Sequence, residues 1–307
     1  KNTYNTKVLN EKNEEIVTGY DTVEAIENYD ENNNLWYETN LLKVSKNGKY
    51  GITDFSGRVI VECQYDSIEA LKGIENVILS KKNGKYGIID HVGTVIIENE
   101  YTSIKPISDR YEDGYIVKDQ KGKYGVINYT KSVALENKYD DIKQKYEKGK
   151  YYIVKENGKW KIIDSEGKDY LNGKYDDIVA INNDNAIVKE ENKYGVVSIS
   201  DGKILLDINY DYIDYATNNN YIVKNNSKCG VIDSNGNKLV DFKYSNIVYR
   251  DSANLYEASN EDYTSDLLDS ELKVKLSNII VSEINENKGY IKIRDNDEEK
   301  YYNFKFE

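Results

Sequence analysis

The sequence predicts an all-β tandem-repeat protein, and three observations carry that prediction. A phrase built on Gly-Lys-Tyr-Gly recurs along the chain, a second built on Tyr-Asp follows it at a nearly fixed distance, and tyrosine and β-branched residues are abundant. About eight short antiparallel meanders of ~36 residues are expected, since self-similarity at such a period is the mark of repeat architectures.

The first phrase stands at 48–52, 84–88 and 122–126, then in altered form at 158–162, 193–196 and 228–231, with anchors Tyr50, Tyr86, Tyr124, Trp160, Tyr194 and Cys229. The second follows 15 residues later, or 16 once, at Tyr65-Asp66, Tyr101-Thr102, Tyr139-Asp140, Tyr175-Asp176, Tyr210-Asp211 and Tyr244-Ser245. Both series step by 34 to 38 residues. Fainter units are read at Tyr4 with Tyr20-Asp21 and near Tyr263 with Leu267 to Leu276, and a partial one at Lys300-Tyr301-Tyr302-Asn303.

Within a unit, the β-branched run Tyr151 to Lys155 leads into Asn157-Gly158, the strongest two-residue hairpin signal, and Lys159 to Ile163 forms the return strand. Asp164 to Gly167 reverses the chain again, the Asp accepting from backbone amides and the Gly taking positive φ; Asp54 to Gly57, Asp90 to Gly93 and Asp233 to Gly236 repeat that pattern. An apolar third strand follows, as at Val59 to Val61. The residues after Tyr-Asp, such as Asp177-Ile178-Val179, are expected as a short fourth strand of the same unit. Such strands bury too little alone, so each sheet must shelter the next.

The segment Glu24 to Asn40 stretches the first step to 45 residues and is expected as an inserted surface loop. The resulting layout is a degenerate N-terminal unit plus that loop over 1–40, six clear repeats over 41–248, and degenerate units or a cap over 249–307, in one continuous repeat domain. Meanders of this kind close as blades of a β-propeller or stack as an open twisted array, a solenoid. The ring is preferred, because Gly289 to Arg294 and Lys300 to Phe306 resemble strands that would complete an N-terminal blade. Degenerate end units also suit the caps of an open stack.

The phrase Asn-Gly-Lys-Trp/Tyr-Gly-Ile-Ile-Asp-x-x-Gly-x-Val-Ile, followed by Lys-Tyr-Asp-x-Ile, resembles the WG (KWG) repeat of bacterial proteins over 41–248. Tyr replaces Trp in most units, Cys229 in one, and Lys161 stands where the others have Gly. The resemblance implies a binding or scaffolding array with no shared catalytic chemistry.

The 42 Lys and Arg against 54 Asp and Glu give a net charge of −12, a field that repels phosphate backbones, so nucleic acid is not expected as a partner. No run approaches the roughly 18 to 20 apolar residues a spanning helix needs. The chain opens on Lys1 and holds no Met, as expected of a processed or trimmed chain, and an extracellular or cell-surface location is favoured, with any targeting segment absent from this chain.

The anchors recur at one place in every unit and are expected to pack between units. Non-periodic aromatics in variable loops, Trp36, Tyr37, Tyr111 and Tyr146, are the candidate ligand-binding residues, because rigid scaffolds carry function on loops. His91, the one histidine, reads as a turn surface residue. Cys63 and Cys229 lie five units apart and are expected as inert thiols without a mutual disulfide. No Cys or His pair has zinc spacing, and 295–299 reads as a hairpin turn, not a calcium loop, so no metal and no cofactor are expected. The acidic pairs Asp140-Asp141 and Asp176-Asp177 read as turn and loop caps. The function expected is therefore non-catalytic binding or scaffolding, recognising a protein or carbohydrate through loops on one face. The alternatives are a glycoside hydrolase using paired carboxylates and a structural spacer with no ligand.

Overall fold

The computed structural model describes residues 7–30, 32–108, 110–143, 151–295 and 298–307. The chain forms two compact units, Lys1–Asp169 and Tyr170–Glu307. Meander one comprises Thr22–Tyr29, Leu35–Lys46, Lys49–Thr53 and Val59–Tyr65, and meander two Ser67–Ala70, Val77–Lys82, Lys85–Asp90 and Val95–Tyr101. Meander three comprises Ser103–Pro106, Tyr115–Lys118, Tyr124–Ile127 and Val133–Tyr139, and meander four Asp141–Ile142, Tyr151–Glu156 and Lys159–Asp164. In the second unit, meander five is Asp177–Asn182, Asn185–Glu190, Lys193–Ser198 and Ile204–Tyr210, and meander six Tyr212–Tyr215, Tyr221–Asn225, Lys228–Ile232 and Lys238–Tyr244. Meander seven has six strands, Asn246–Arg250, Leu255–Ser259, Ser265–Asp269, Val274–Asn285, Tyr290–Asp295 and Glu298–Asn303. All pairings are antiparallel, which bears out the all-β repeat.

The turns form as their residues dictate. Asn157 and Gly158 take φ of 53° and 80°, the doubly left-handed geometry that matches strand twist in a two-residue hairpin. At the second reversal Asp164 Oδ1 accepts from the amides of Glu166 and Lys168 at 2.9 and 3.0 Å, and Asp90 Oδ1 from Val92 and Thr94 at 3.0 and 2.7 Å.

Strand alternation explains the core. In the second strand of meander three, Val117 and Tyr115 enter a cluster with Val77, Ile88 and Ile97 of meander two, while Ile116 between them enters a cluster with Tyr152, Val154 and Ile163 of meander four. In the second unit, Tyr221 and Val223 face meander five, and Ile222 faces meander seven. One strand thus feeds two cores with successive residues, as a side-chain period of two requires, while the six-stranded meander seven also carries a cluster of its own around Leu255, Leu267, Ile279 and Ile291.

Three expectations are corrected. The strand after Tyr-Asp belongs to the next sheet: Asp177 pairs with Lys189 and Ile178 with Val188. Tyr-Asp is therefore the boundary between sheets, because Tyr65 ends one strand and the Asp66 amide already donates to Lys81 O, 2.7 Å away in the following meander. Residues 24–40 are not an inserted loop. They form most of the first hairpin of meander one, in which Leu35–Lys46 runs beyond its partner Lys49–Thr53. Finally, Tyr290–Asp295 and Glu298–Asn303 do not complete a first blade, for they extend the sheet of meander seven through Val274–Asn285, and meander one has its own four strands. The sheets described number seven, against about eight expected. The faint first unit contributes the Leu9–Glu15 bridge and Tyr20-Asp21.

Meander four shows what the repeated glycine does. At Gly51 a β-carbon would lie 2.5 Å from Val61 O, because the bulged fourth strand crosses directly over it; at Gly87 and Gly230 the distance is 2.6 Å. Where Lys161 occupies that position its ammonium bonds Glu156 at 2.5 Å and Asp169 at 3.4 Å. The sheet stops at three strands among the described residues, apart from an Ile163–Asp169 bridge.

Candidate functional site

The residues that recur are engaged with one another. Five of the six anchors lie directly opposite the Tyr of the second phrase: Tyr50 on Tyr65, Tyr86 on Tyr101, Tyr124 on Tyr139, Tyr194 on Tyr210 and Cys229 on Tyr244. In those five meanders the pairing joins the two phrases across adjacent strands of one sheet. The anchor tyrosines are half-buried at the rim of the inter-sheet cores, as expected of packing residues. A lysine from a neighbouring strand covers each ring: Lys81 at 5.0 Å from Tyr86, Lys118 at 4.9 Å from Tyr124, Lys189 at 5.4 Å from Tyr194, Lys43 at 5.8 Å from Tyr50 and Lys155 at 5.6 Å from Trp160.

The Asp of Tyr-Asp ties successive units together. Asp66 accepts from Lys49 Nζ at 2.6 Å in its own unit and from the Gly84 amide at 3.1 Å in the next hairpin. Asp140 does the same with Lys123 and the Gly158 amide. Donation from Lys49, then from the Gly84 amide, holds the Asp66 carboxyl below its ordinary range. Asp141 and Asp177 each accept from the next amide. The adjacent acidic pairs are thus staples and caps, as read from the sequence.

Strand order places the reversals between first and second strands, and those between third and fourth, at the same end of a meander. In the first unit this end gathers the variable loops and the Asp-x-x-Gly turns into one edge. Tyr111 lies there in a short 3-10 turn, half exposed, with its ring 6.0 Å from Tyr129 and nearly perpendicular to it. Phe55, His91 and Tyr129 occupy the same turn position in meanders one to three, and all three are exposed. The corresponding residue is Ser165 in meander four and Ser234 in meander six. This row was legible as a register position, yet a lone histidine and scattered aromatics do not declare it. Between meanders one and two the edge holds a cleft of about 570 Å³ lined by Asn40, Phe55, Arg58, Glu75, His91 and Val92. Arg58 is held by Asp54 at 3.0 Å.

The long first hairpin carries Trp36 and Tyr37 to the same edge, on opposite faces. Trp36 is half-buried opposite Asn28. On its face lies a buried network in which Asn28 donates to Glu38 at 2.7 Å and to Ile74 O at 2.9 Å, while Glu38 accepts from the Asn76 amide at 2.7 Å. That network locks the hairpin to the first loop of meander two. Tyr37 is 52% exposed, opposite Glu27, and lines a second cleft of about 740 Å³ between the first strands of meanders one and two. The structure thus brings Trp36, Tyr37 and Tyr111 to one kind of edge without joining them in a single pocket, and Tyr146 lies outside the described residues. No group of His, Cys, Asp or Glu among the described residues is arranged to hold a metal ion, and no helix among them is long and apolar enough to cross a membrane.

A family profile described as "WG containing repeat" matches residues 52–86, 86–123, 124–160, 162–194 and 195–229, more than half of the chain. No curated protein matches the sequence. Among solved structures, Kluyveromyces lactis Hsv2 is similar with a TM-score of 0.39 at 10% identity, covering 74% of this chain and 92% of that one. A eukaryotic initiation factor is similar with a TM-score of 0.42 at 9% identity, covering 94% and 90%. The profile segments run from anchor to anchor, through the glycine, the paired tyrosines and the aspartate staple whose geometry builds these sheets, and the chain belongs to the WG-repeat family.

Proposed function

We propose that this chain is a non-catalytic binding module that recognises a protein partner through the loop edge of meanders one to three. The observation that supports this is a contrast between two sets of aromatic residues. The recurrent anchor rings are covered by the chain's own lysines, whereas Phe55, Tyr111 and Tyr129 expose their rings on a rigid, repeat-built edge, where large apolar side chains cost the free chain solubility without adding to its core.

The triple variant Phe55→Ala, Tyr111→Ala, Tyr129→Ala is expected to lose any specific ligand found by peptide and glycan arrays while its unfolding free energy stays within about 0.5 kcal/mol of the parent. Retention of that ligand by the triple variant, or arrays that remain blank, would count against the reading. A ligand lost equally on substitution at the opposite, hairpin edge would do the same.

We also carry the closed ring forward as our reading of the repeat series, on the support of short meanders that pack face on face. A compact chain of this length has a radius of gyration of about 19 Å, and X-ray scattering from a ring should fall close to it. A clearly larger value would favour the open array.

A further inference from the structure

We propose that the cleft between the first strands of meanders one and two, which contains Tyr37, takes a lysine or arginine side chain from a basic segment of a partner protein. The proposal rests on the loop edge being a protein-binding edge and names the chemistry at one part of it. Glu24, Glu27 and Glu69 line this cleft together with Tyr29 and Tyr37. Its two lysines are already engaged, Lys43 with Glu24 at 2.7 Å and Lys72 with Asn33 Oδ1 at 3.1 Å. Among the described residues neither Glu27 nor Glu69 has a cation. Among the described residues Glu27 accepts from the Tyr29 hydroxyl, at 2.8 Å, and that bond orients its carboxylate beside the two rings.

The chain's own packing supplies the second argument. Its recurring anchor rings each carry a lysine over the face, so a tyrosine with an ammonium over it is the unit this protein uses to finish an aromatic surface. Tyr29 and Tyr37 are exposed rings with no lysine over them among the described residues. An incoming ammonium or guanidinium that reaches Glu27 and Glu69 would complete the same arrangement, gaining a charge-assisted bond and a ring face together. The net charge of −12 draws basic segments and repels acidic ones, and this complementarity selects a basic peptide over a neutral or acidic one.

The test uses fluorescence anisotropy with a labelled oligolysine peptide, and a matching oligoglutamate as control, at low and physiological salt. Oligolysine should bind, and Glu27→Gln with Glu69→Gln should weaken it by about tenfold or more. Tyr37→Ala should weaken it severalfold. Glu62→Gln with Glu136→Gln, on the outer strands, changes net charge equally and should weaken it by less than about twofold. Circular dichroism should show all variants folded, since the replacements lie on exposed positions. Failure of oligolysine to bind, equal weakening by the two double variants, or equal binding of oligoglutamate would overturn the assignment. Should a partner's binding fall with Phe55→Ala and Tyr129→Ala but not with the Glu27 and Glu69 changes, this cleft is excluded while the loop edge stands.

Discussion

Gly125→Val is expected to strip the fourth strand from meander three and to destabilise the first unit by about 3 kcal/mol or more. A β-carbon at Gly125 would lie 2.7 Å from Leu135 O and 3.0 Å from both the amide and Cγ of Asn137. These atoms cannot be pushed aside cheaply, because two of them are backbone. The third belongs to a side chain whose amide donates to Val117 O and Lys123 O at 3.2 and 3.0 Å. Moving that strand uncovers Leu135 and Tyr139, which are buried in the core shared with meander four, so the loss should spread to the neighbour. The contrast is Gly158→Ala, at a positive-φ hairpin position with nothing within 4 Å; it should cost only the backbone strain, about 1 to 2 kcal/mol. Urea titrations of both variants, with amide exchange on Val133–Tyr139, measure the difference. Equal midpoints for Gly125→Val and the parent would refute the close-crossing account, for which Lys161 and its three-stranded sheet are the natural counterpart.

What the sequence made legible was local. Asn-Gly hairpins and Asp-x-x-Gly reversals are fixed by φ preferences and side-chain-to-amide bonds within five residues, and both formed as expected. The phase of the sheets was not legible, since the pairing of Asp177–Asn182 depends on residues after the next turn, and a period is unchanged by where its boundary is placed. The first hairpin escaped for a related reason: the sequence from Asp30 to Asn34 has no Gly, and a strand of 12 residues is longer than the second strand of any other meander described. Among the aromatic residues, Tyr37 and Tyr111 stand out in the sequence because they break the period. Phe55 and Tyr129 do not stand out because they sit within it, and Glu27 and Glu69 line one cleft only when two sheets pack.

Asp266 carries the second large effect, and it too hides a repeat position. In meander seven Ser265 pairs with Ile279 and Leu267 with Leu276, with a register shift between them, so Asp266 stands where meanders one to three have glycine. The bulge of the crossing strand is met here by a carboxylate, 5% exposed. It accepts from Tyr244 Oη at 2.7 Å, Ser277 Oγ at 2.8 Å and the Asn278 amide at 3.0 Å. Burial pushes its pKa up, but the donors and the Lys243 charge outweigh that and hold it below the ordinary carboxylate value. A depressed folded value means the contribution is present above the unfolded pKa, about 3.9, and is lost as pH falls through the folded value. Asp266→Ala removes the acceptor from the buried Tyr244 hydroxyl and the Asn278 amide at once and should cost about 3 kcal/mol at neutral pH. Asp266→Asn should cost less and should flatten the acid limb of the stability profile. Stability measured from pH 7 to pH 2 separates the outcomes: an alanine variant as stable as the parent at neutral pH, or parallel acid limbs for parent and Asp266→Asn, would show that the buried carboxylate does not hold meander six to meander seven.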